Sequence, residues 1–559
     1  MNKNDDNHKN THTNNTVHLP GAMAYVPQDD RLHGFFTCQS YLQHYARLSG
    51  RSAASAGEEI TRMLQTMGLT DQAKTIVGDL FLKGLSGGQK RRLSIALEAL
   101  SNPQNFFLDE PTSGLDAESA LQVMDFLKTY ARAAPGRRVI LTIHQPSSFI
   151  WNLIDHVVLL SKGKLMYQGP RSDMESFFEF AGSPTPTNYN PADHYVTAVN
   201  DEFRHHALSV DEWATKYAEY TPTRRGNDVL TKSMVLTQTK QSISTNRTGS
   251  PLVVFELTYR YFLNLWFNPG IIFTRIAMYS MLGLMVGGLF YNLGDRRDFE
   301  SVQSRTAVLF YCVAFFIFMS VAVLPFTVIE RDIVDKEVRN RYYHPIYYQI
   351  SQGIASIPGT ALLALLVTAI IVGLTGLQAP YWYFLTMFLS LVCAEALAQL
   401  VSHVVPHFVI GMAMVAGMYG FFMLYQGFML IPSDFPSWLR WTYNVGFHTY
   451  AWRTFMYSEF HDLGDLDSQA FPTGRDVLVA YEIENVNRGN DVSLLVVVCV
   501  VSQSQSCIVS ATFLIFSWWS VQLIVLVGYA CVLHLLSFIV LHLRYTLFKG
   551  KLIAPTKEE

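Results

Sequence analysis

Apolar positions divide the chain at about residue 250. Before it, apolar runs are short. Leu93–Leu100 in LSIALEAL repeats at helical spacing, and Asn105–Leu108 in front of Asp109-Glu110 predicts a buried strand ending in two carboxylates. Val139–His144, VILTIH, predicts a second buried strand ending in a polar group. HVVLL and KLMYQG, joined by Lys162-Gly163, predict a hairpin. After residue 250 the runs lengthen. Six stretches, 270–291, 306–329, 350–373, 381–401, 408–430 and 519–543, each supply the roughly 20 apolar residues that cross a bilayer.

The polar intervals set the topology. The joint 330–341 carries Arg331, Lys336, Arg339 and Arg341, and 544–551 is basic too; both belong on the inner side, as an even number of spans requires. The loops 293–304 and 374–380 and the large segment 431–518 then fall outside. Residues 1–20, rich in Asn, His, Thr and Asp, read as a solvated tail, and 200–250 as a polar linker. Val253–Phe267 is amphipathic and aromatic and is expected to lie along the membrane surface. The Asn246-Arg247-Thr248 sequon falls in the linker, on the side away from glycosylation.

Composition agrees with a membrane protein. Of 559 residues half are apolar and 16% charged, too apolar for an all-soluble chain. The net charge of −3 leaves no nucleic-acid footprint. Six scattered cysteines form no metal spacing, and no apolar leader opens the chain.

The chemistry is concentrated in residues 84–116. Leu85-Ser86-Gly87-Gly88-Gln89 sets two glycines before a helix, where backbone N–H groups can approach a phosphate. About twenty residues on, Asp109 is placed to hold Mg²⁺ and Glu110 to polarise water. LSGGQ resembles the signature loop of ABC transporters, FFLDE their Walker B strand, Ser113–Asp116 (SGLD) their D-loop, and His144 in ILTIHQPSS their switch histidine. EPTSGLD and TIHQPSS resemble the G subfamily, in which the ATPase precedes the membrane domain.

The resemblance implies an α/β P-loop-type ABC ATPase domain over 21–199, N-terminally incomplete, followed by an all-α membrane domain of six transmembrane helices over 269–551. The linker 200–250 and a connecting helix 251–268 join them. AMAYVPQ looks like the strand and Q-loop, which makes Gln28 a ligand of Mg²⁺ and of the attacking water; Asn190–Asp193 resembles the end of the ATPase. By the same resemblance Glu110 activates water, Asp109 serves Mg²⁺, His144 stabilises the γ-phosphate, and Ser86, Gly87, Gly88, Gln89 and Asp116 contact ATP. Glu330 and Arg331 would form a polar relay. Phe315, Phe318, Met423 and Phe428 would line an apolar cavity, although aromatics on membrane helices also meet lipid or other helices. Glu395, LVCAEALAQL, either faces a cavity or pairs across spans.

Two departures stand out. No GxxxxGK[ST] occurs in the sequence, so an incomplete N-terminus is the expectation, with a degenerate subunit that lends only its signature loop and membrane half as the alternative. Residues 493–516 look like an insertion. They hold Cys499 and Cys507, the only cysteines of the outer segment, and depart from the family's disulfide framework there. The implied function is ATP-driven export of hydrophobic or lipid-like compounds by a homo- or heterodimer of half-transporters, using ATP and Mg²⁺, in the plasma membrane. A soluble ABC protein is excluded by the six apolar stretches.

Overall fold

The computed structural model describes residues 22–51, 53–79, 83–200, 208–224, 251–268, 270–483 and 519–548. The expected tail 1–20, the sequon at Asn246 and the segment 493–516 lie outside these.

The N-terminal part is built on a parallel sheet of β1 (Met23–Val26), β2 (Asn105–Leu108) and β3 (Arg138–Leu141), with β2 central. Phe106 and Leu108 are buried, as an apolar run in a parallel sheet requires. Helices α1 (Cys38–Leu48) and α2 (Ala53–Thr66) form a lobe beside it. α3 (Gly87–Ala99) runs from the SGGQ loop, α4 (Ala117–Arg132) follows the SGLD turn, and α5 (Ser148–Leu153) follows the His144 loop. The expected hairpin is β4 (His156–Ser161) and β5 (Lys164–Pro170), turning at Lys162 and Gly163, both at positive φ. Against it pack α6 (Met174–Phe180), α7 (Pro191–Ala198) and α8 (Val210–Arg224).

α8 corrects the linker reading, because it lies inside 200–250. Trp213 is buried, with its ring 4.9 Å from that of Phe178 on α6, and Tyr217 meets Tyr167 of β5 at 5.9 Å, contacts that tie the helix to α6 and to the hairpin. Val210, Trp213, Tyr217 and Tyr220 share one helical stripe, a spacing the charged neighbours obscure.

The C-terminal part is helical: α9 (Pro251–Phe267), α10 (Ile272–Leu289), α11 (Phe299–Tyr311), α12 (Leu324–Arg339), α13 (Pro345–Thr375), α14 (Pro380–Val404), α15 (Phe408–Leu424), α16 (Phe447–Phe460), α17 (Gly474–Ala480) and α18 (Trp519–Phe548). Among the described residues four stretches are long and apolar enough to cross a membrane: Ile272–Leu289, Phe299–Arg339, Pro345–Thr375 and Pro380–Val404. The expected stretches 408–430 and 519–543 give the shorter apolar helices Phe408–Leu424 and Val527–Leu543. The first ends at Leu424, with Tyr425 as its cap, and Gly427 at φ +100° lies beyond it in the turn.

The second of the four is continuous but irregular. Between α11 and α12 lie a π-turn, Cys312–Phe316, and a 3₁₀ turn, Met319–Val323. Hydroxyls from neighbouring helices serve the disturbed stretch: Tyr279 donates to the Phe316 carbonyl at 3.0 Å, and Ser320 and Tyr419 are 3.0 Å apart.

Candidate nucleotide site and its link to the membrane helices

The carboxyl ends of β1, β2 and β3 meet at one place. Gln28 follows β1, Asp109 and Glu110 follow β2, and Thr142 follows β3. Gln28 Nε2 donates to Glu110 Oε2 at 2.9 Å. Thr142 Oγ1 accepts from the Glu110 N–H at 2.9 Å and donates to Asp109 Oδ1 at 2.6 Å. The Tyr25 hydroxyl donates to Asp109 Oδ2 at 3.3 Å. Glu110 adopts φ +43°, a left-handed conformation that its backbone bond to Thr142 helps to hold. Three of the expected groups, Gln28, Asp109 and Glu110, are therefore brought together. His144, exposed and two residues beyond Thr142, stays outside this network among the described residues. The loop that carries it is tied down by Asn190, whose Nδ2 donates to the Pro146 carbonyl at 2.9 Å.

The SGGQ loop caps α3. Ser86 Oγ accepts from the Gln89 N–H at 3.3 Å, while Gln89 Oε1 accepts from the Ser86 N–H at 2.9 Å. These two amides are thereby occupied. Gly87 is exposed, and a Cβ there would meet nothing within 4 Å, so the turn is open to an approaching anion. A Cβ on Gly88 would stand 3.1 Å from Leu115, which sets the signature loop against the SGLD turn. Asp116 also ends that turn as a helix cap. Its carboxylate caps α4 by accepting from the Ser119 N–H at 3.0 Å, and that bond holds its pKa below the usual value.

Two residues that sequence reasoning passed over organise the site. Thr142 is one. Arg91 is the other: buried on α3, it donates to the carbonyls of Pro27 at 2.6 Å and Gln28 at 3.1 Å, to Asp30 Oδ1 at 3.1 Å, and to the Asp109 carbonyl. One guanidinium thus joins the signature helix to the loops of Gln28 and Asp109. Its place in KRRLS gave no signal, since neighbouring Lys90 and Arg92 look alike on paper.

The sheet is joined to the helical part through the end of α12. Arg31 pairs with Asp332. Glu337, fully buried, receives Arg260 at 2.7 and 2.9 Å and Tyr45 at 3.0 Å, and also pairs with Tyr343. His44 and Arg47 of α1 meet Glu256 of α9 at 3.4 and 2.7 Å. Burial alone would raise the Glu256 pKa, but His44 and Arg47 hold it below the ordinary carboxylate value. Glu330 and Arg331, expected to act as one relay, face different ways. Glu330 lies 3.4 Å from His33 Nδ1 and 3.7 Å from Arg260. Arg331 donates to the carbonyls of Ser402 at 2.7 Å, Val405 at 2.5 Å and Pro406 at 3.3 Å, closing the end of α14. The His33–Glu330 contact joins a neutral ring to the carboxylate: complete burial, with Arg260 and His44 nearby, holds the His33 pKa well below 6.5.

Within the apolar helices Glu395 pairs across elements. It accepts from Arg275 of α10, and its Oε2 accepts from Thr360 of α13 at 2.9 Å. Of the expected cavity residues, Phe315 within the π-turn and Phe318 just after it are exposed. Met423 and Phe428 are half-buried, and Phe428 stacks on Phe310 at 4.2 Å with Trp452 edge-on at 5.4 Å.

Comparison with known proteins defines the class. Residues 3–113 match the ABC transporter family model, 253–460 the ABC-2 type transporter model, and 144–212 a second ABC-2 type transporter model. The chain therefore joins an ABC transporter ATPase region to an ABC-2 membrane region, the layout of a half-transporter. It is 32% identical over 465 residues to "ABC transporter G family member 1" of Petunia hybrida, covering 79% of this chain and 72% of the relative. To "ABC transporter G family member 11" of Arabidopsis thaliana it is 30% identical over 504 residues, 83% and 70% of the two chains. To the "Broad substrate specificity ATP-binding cassette transporter ABCG2" of Sus scrofa it is 29% identical over 472 residues, 78% and 71%. The chain belongs to the ABC transporter G family.

Proposed function

We propose that this transporter exports hydrophobic or lipid-like compounds across the plasma membrane as a dimer of half-transporters, with six helices per chain in the bilayer. ATP-driven transport is the activity of the family. The observation that carries the hydrolytic part is the Gln28–Glu110–Thr142–Asp109 network at the carboxyl end of the sheet.

Each group has a defined task in this reading. Glu110 is the general base: Gln28 holds Oε2, which leaves Oε1 to take a proton from water. Asp109 and the amide oxygen of Gln28 are hard oxygen donors of the kind Mg²⁺ prefers, and with Nε2 given to Glu110 that oxygen is the atom left for the ion. The ion, when bound, offsets phosphate charge. Ser86–Gln89 presents the start of a helix to the nucleotide of a partner chain, and His144 reaches the γ-phosphate once both chains close. Exposed Phe315 and Phe318 supply flat apolar surface suited to ring-bearing or sterol-like molecules.

Because the sequence holds no GxxxxGK[ST] loop to cradle the nucleotide phosphates, the test is vanadate-sensitive ATP hydrolysis in lipid by the chain alone and by the chain extended with such a segment, with and without hydrophobic compounds. The reading expects hydrolysis that such compounds stimulate and that Phe318→Ala makes unresponsive. Hydrolysis indifferent to every lipid and hydrophobic drug would count against the substrate class.

A further inference from the structure

Among the described residues β1 is an edge strand, and on its outer side Tyr25 presents a backbone N–H and C=O that no described strand pairs. Both are taken by one side chain. Asn340, which ends α12, accepts from the Tyr25 N–H through Oδ1 at 2.8 Å and donates to the Tyr25 carbonyl through Nδ2 at 3.0 Å. A primary amide carries the same donor and acceptor as a peptide group, so the side chain replaces one residue of a missing neighbour strand. Nδ2 also donates to Glu98 Oε2 at 2.7 Å. Glu98 belongs to α3, is fully buried, and is held by Lys336 Nζ at 3.2 Å and the Tyr342 hydroxyl at 3.1 Å. Residues 336–342 therefore grip the sheet edge and the signature helix together.

Tyr25 leads directly to the chemistry. Its hydroxyl meets Asp109, and Gln28 follows three residues later. We propose that Asn340 is a positioning residue: as a surrogate strand it makes the end of α12 part of the sheet, so that movement of the membrane helices shifts Gln28 and Tyr25 relative to Asp109 and Glu110. The contact is to backbone, so it does not depend on the Tyr25 side chain. Its effect on catalysis rests on the hydrolytic reading above; the strand clamp itself does not.

Hydrogen exchange on the full chain in lipid nanodiscs tests the clamp without nucleotide. Asn340→Ala should speed exchange in the peptide 22–28 by about fivefold, the equivalent of one lost hydrogen bond, and leave 105–108 unchanged. Unchanged exchange in 105–108, on the neighbouring strand, separates clamp loss from misfolding. In hydrolysis, Asn340→Ala should lower kcat by about fivefold with KM for ATP unaltered. Wild-type exchange in the alanine variant would overturn the clamp, and faster exchange with unchanged kcat would overturn the positioning role. If the wild type hydrolyses no ATP, the hydrolytic reading and the positioning role fall together, and the exchange result alone decides the clamp.

Discussion

Gln28 and Glu110 stand 82 positions apart in the chain and meet at 2.9 Å, amide to carboxylate. The contact fixes which oxygen of Glu110 is held and which is left to work. Glu110→Gln keeps the shape and removes the base. Steady-state hydrolysis should fall by at least about a hundredfold while nucleotide binding persists. Near-normal turnover in this variant would assign the base elsewhere.

Thr142 serves both acids with one hydroxyl. Thr142→Val is close in shape and leaves the Glu110 N–H and Asp109 Oδ1 without that partner. A rate loss of roughly tenfold is expected, with the thermal midpoint little changed because the site is exposed. An unchanged rate would show that the hydroxyl is a bystander.

Arg275 and Glu395 form a buried pair across α10 and α14. Removing one partner strands the other charge, at a cost of about 3–5 kcal/mol, whereas replacing both by apolar residues is often tolerated. Glu395→Leu alone should therefore reduce the folded yield in detergent, and adding Arg275→Met should restore it. Equal damage in the single and double variants would indicate a role for the charges beyond pairing.

The base of the helical part should respond to acid. His33 is buried among Glu330, Arg260 and His44, and its pKa lies well below 6.5. The unfolded chain takes up the proton first as pH drops. The His33 contribution is therefore fully present above about 6.5 and declines as pH falls below it. Relative to His33→Asn, the wild-type thermal midpoint should fall between about pH 7.5 and 5.5. An identical slope in both proteins would remove His33 from the account.

What the sequence made legible was local. FFL before two acids, SGGQ before a periodic run, and long apolar stretches each carry their meaning within a few residues. Thr142, Arg91 and Asn340 do not. Each is an ordinary polar residue whose role arises from a contact between distant segments, and no periodicity announces it. Asp116 carries two readings at once, because a carboxylate before a helix also serves as an N-cap, a use the structure shows. The stripe of Val210, Trp213, Tyr217 and Tyr220 was readable, and reading it would have taken α8 out of the linker.

The central claim is that the acids at the end of β2 drive movement of a compound through the helical half. Inside-out membrane vesicles bearing the chain, given ATP and a fluorescent hydrophobic probe, test it most directly. The account predicts ATP-dependent, vanadate-sensitive accumulation of probe, abolished by Glu110→Gln at equal membrane levels of protein. Accumulation that survives in that variant would contradict it.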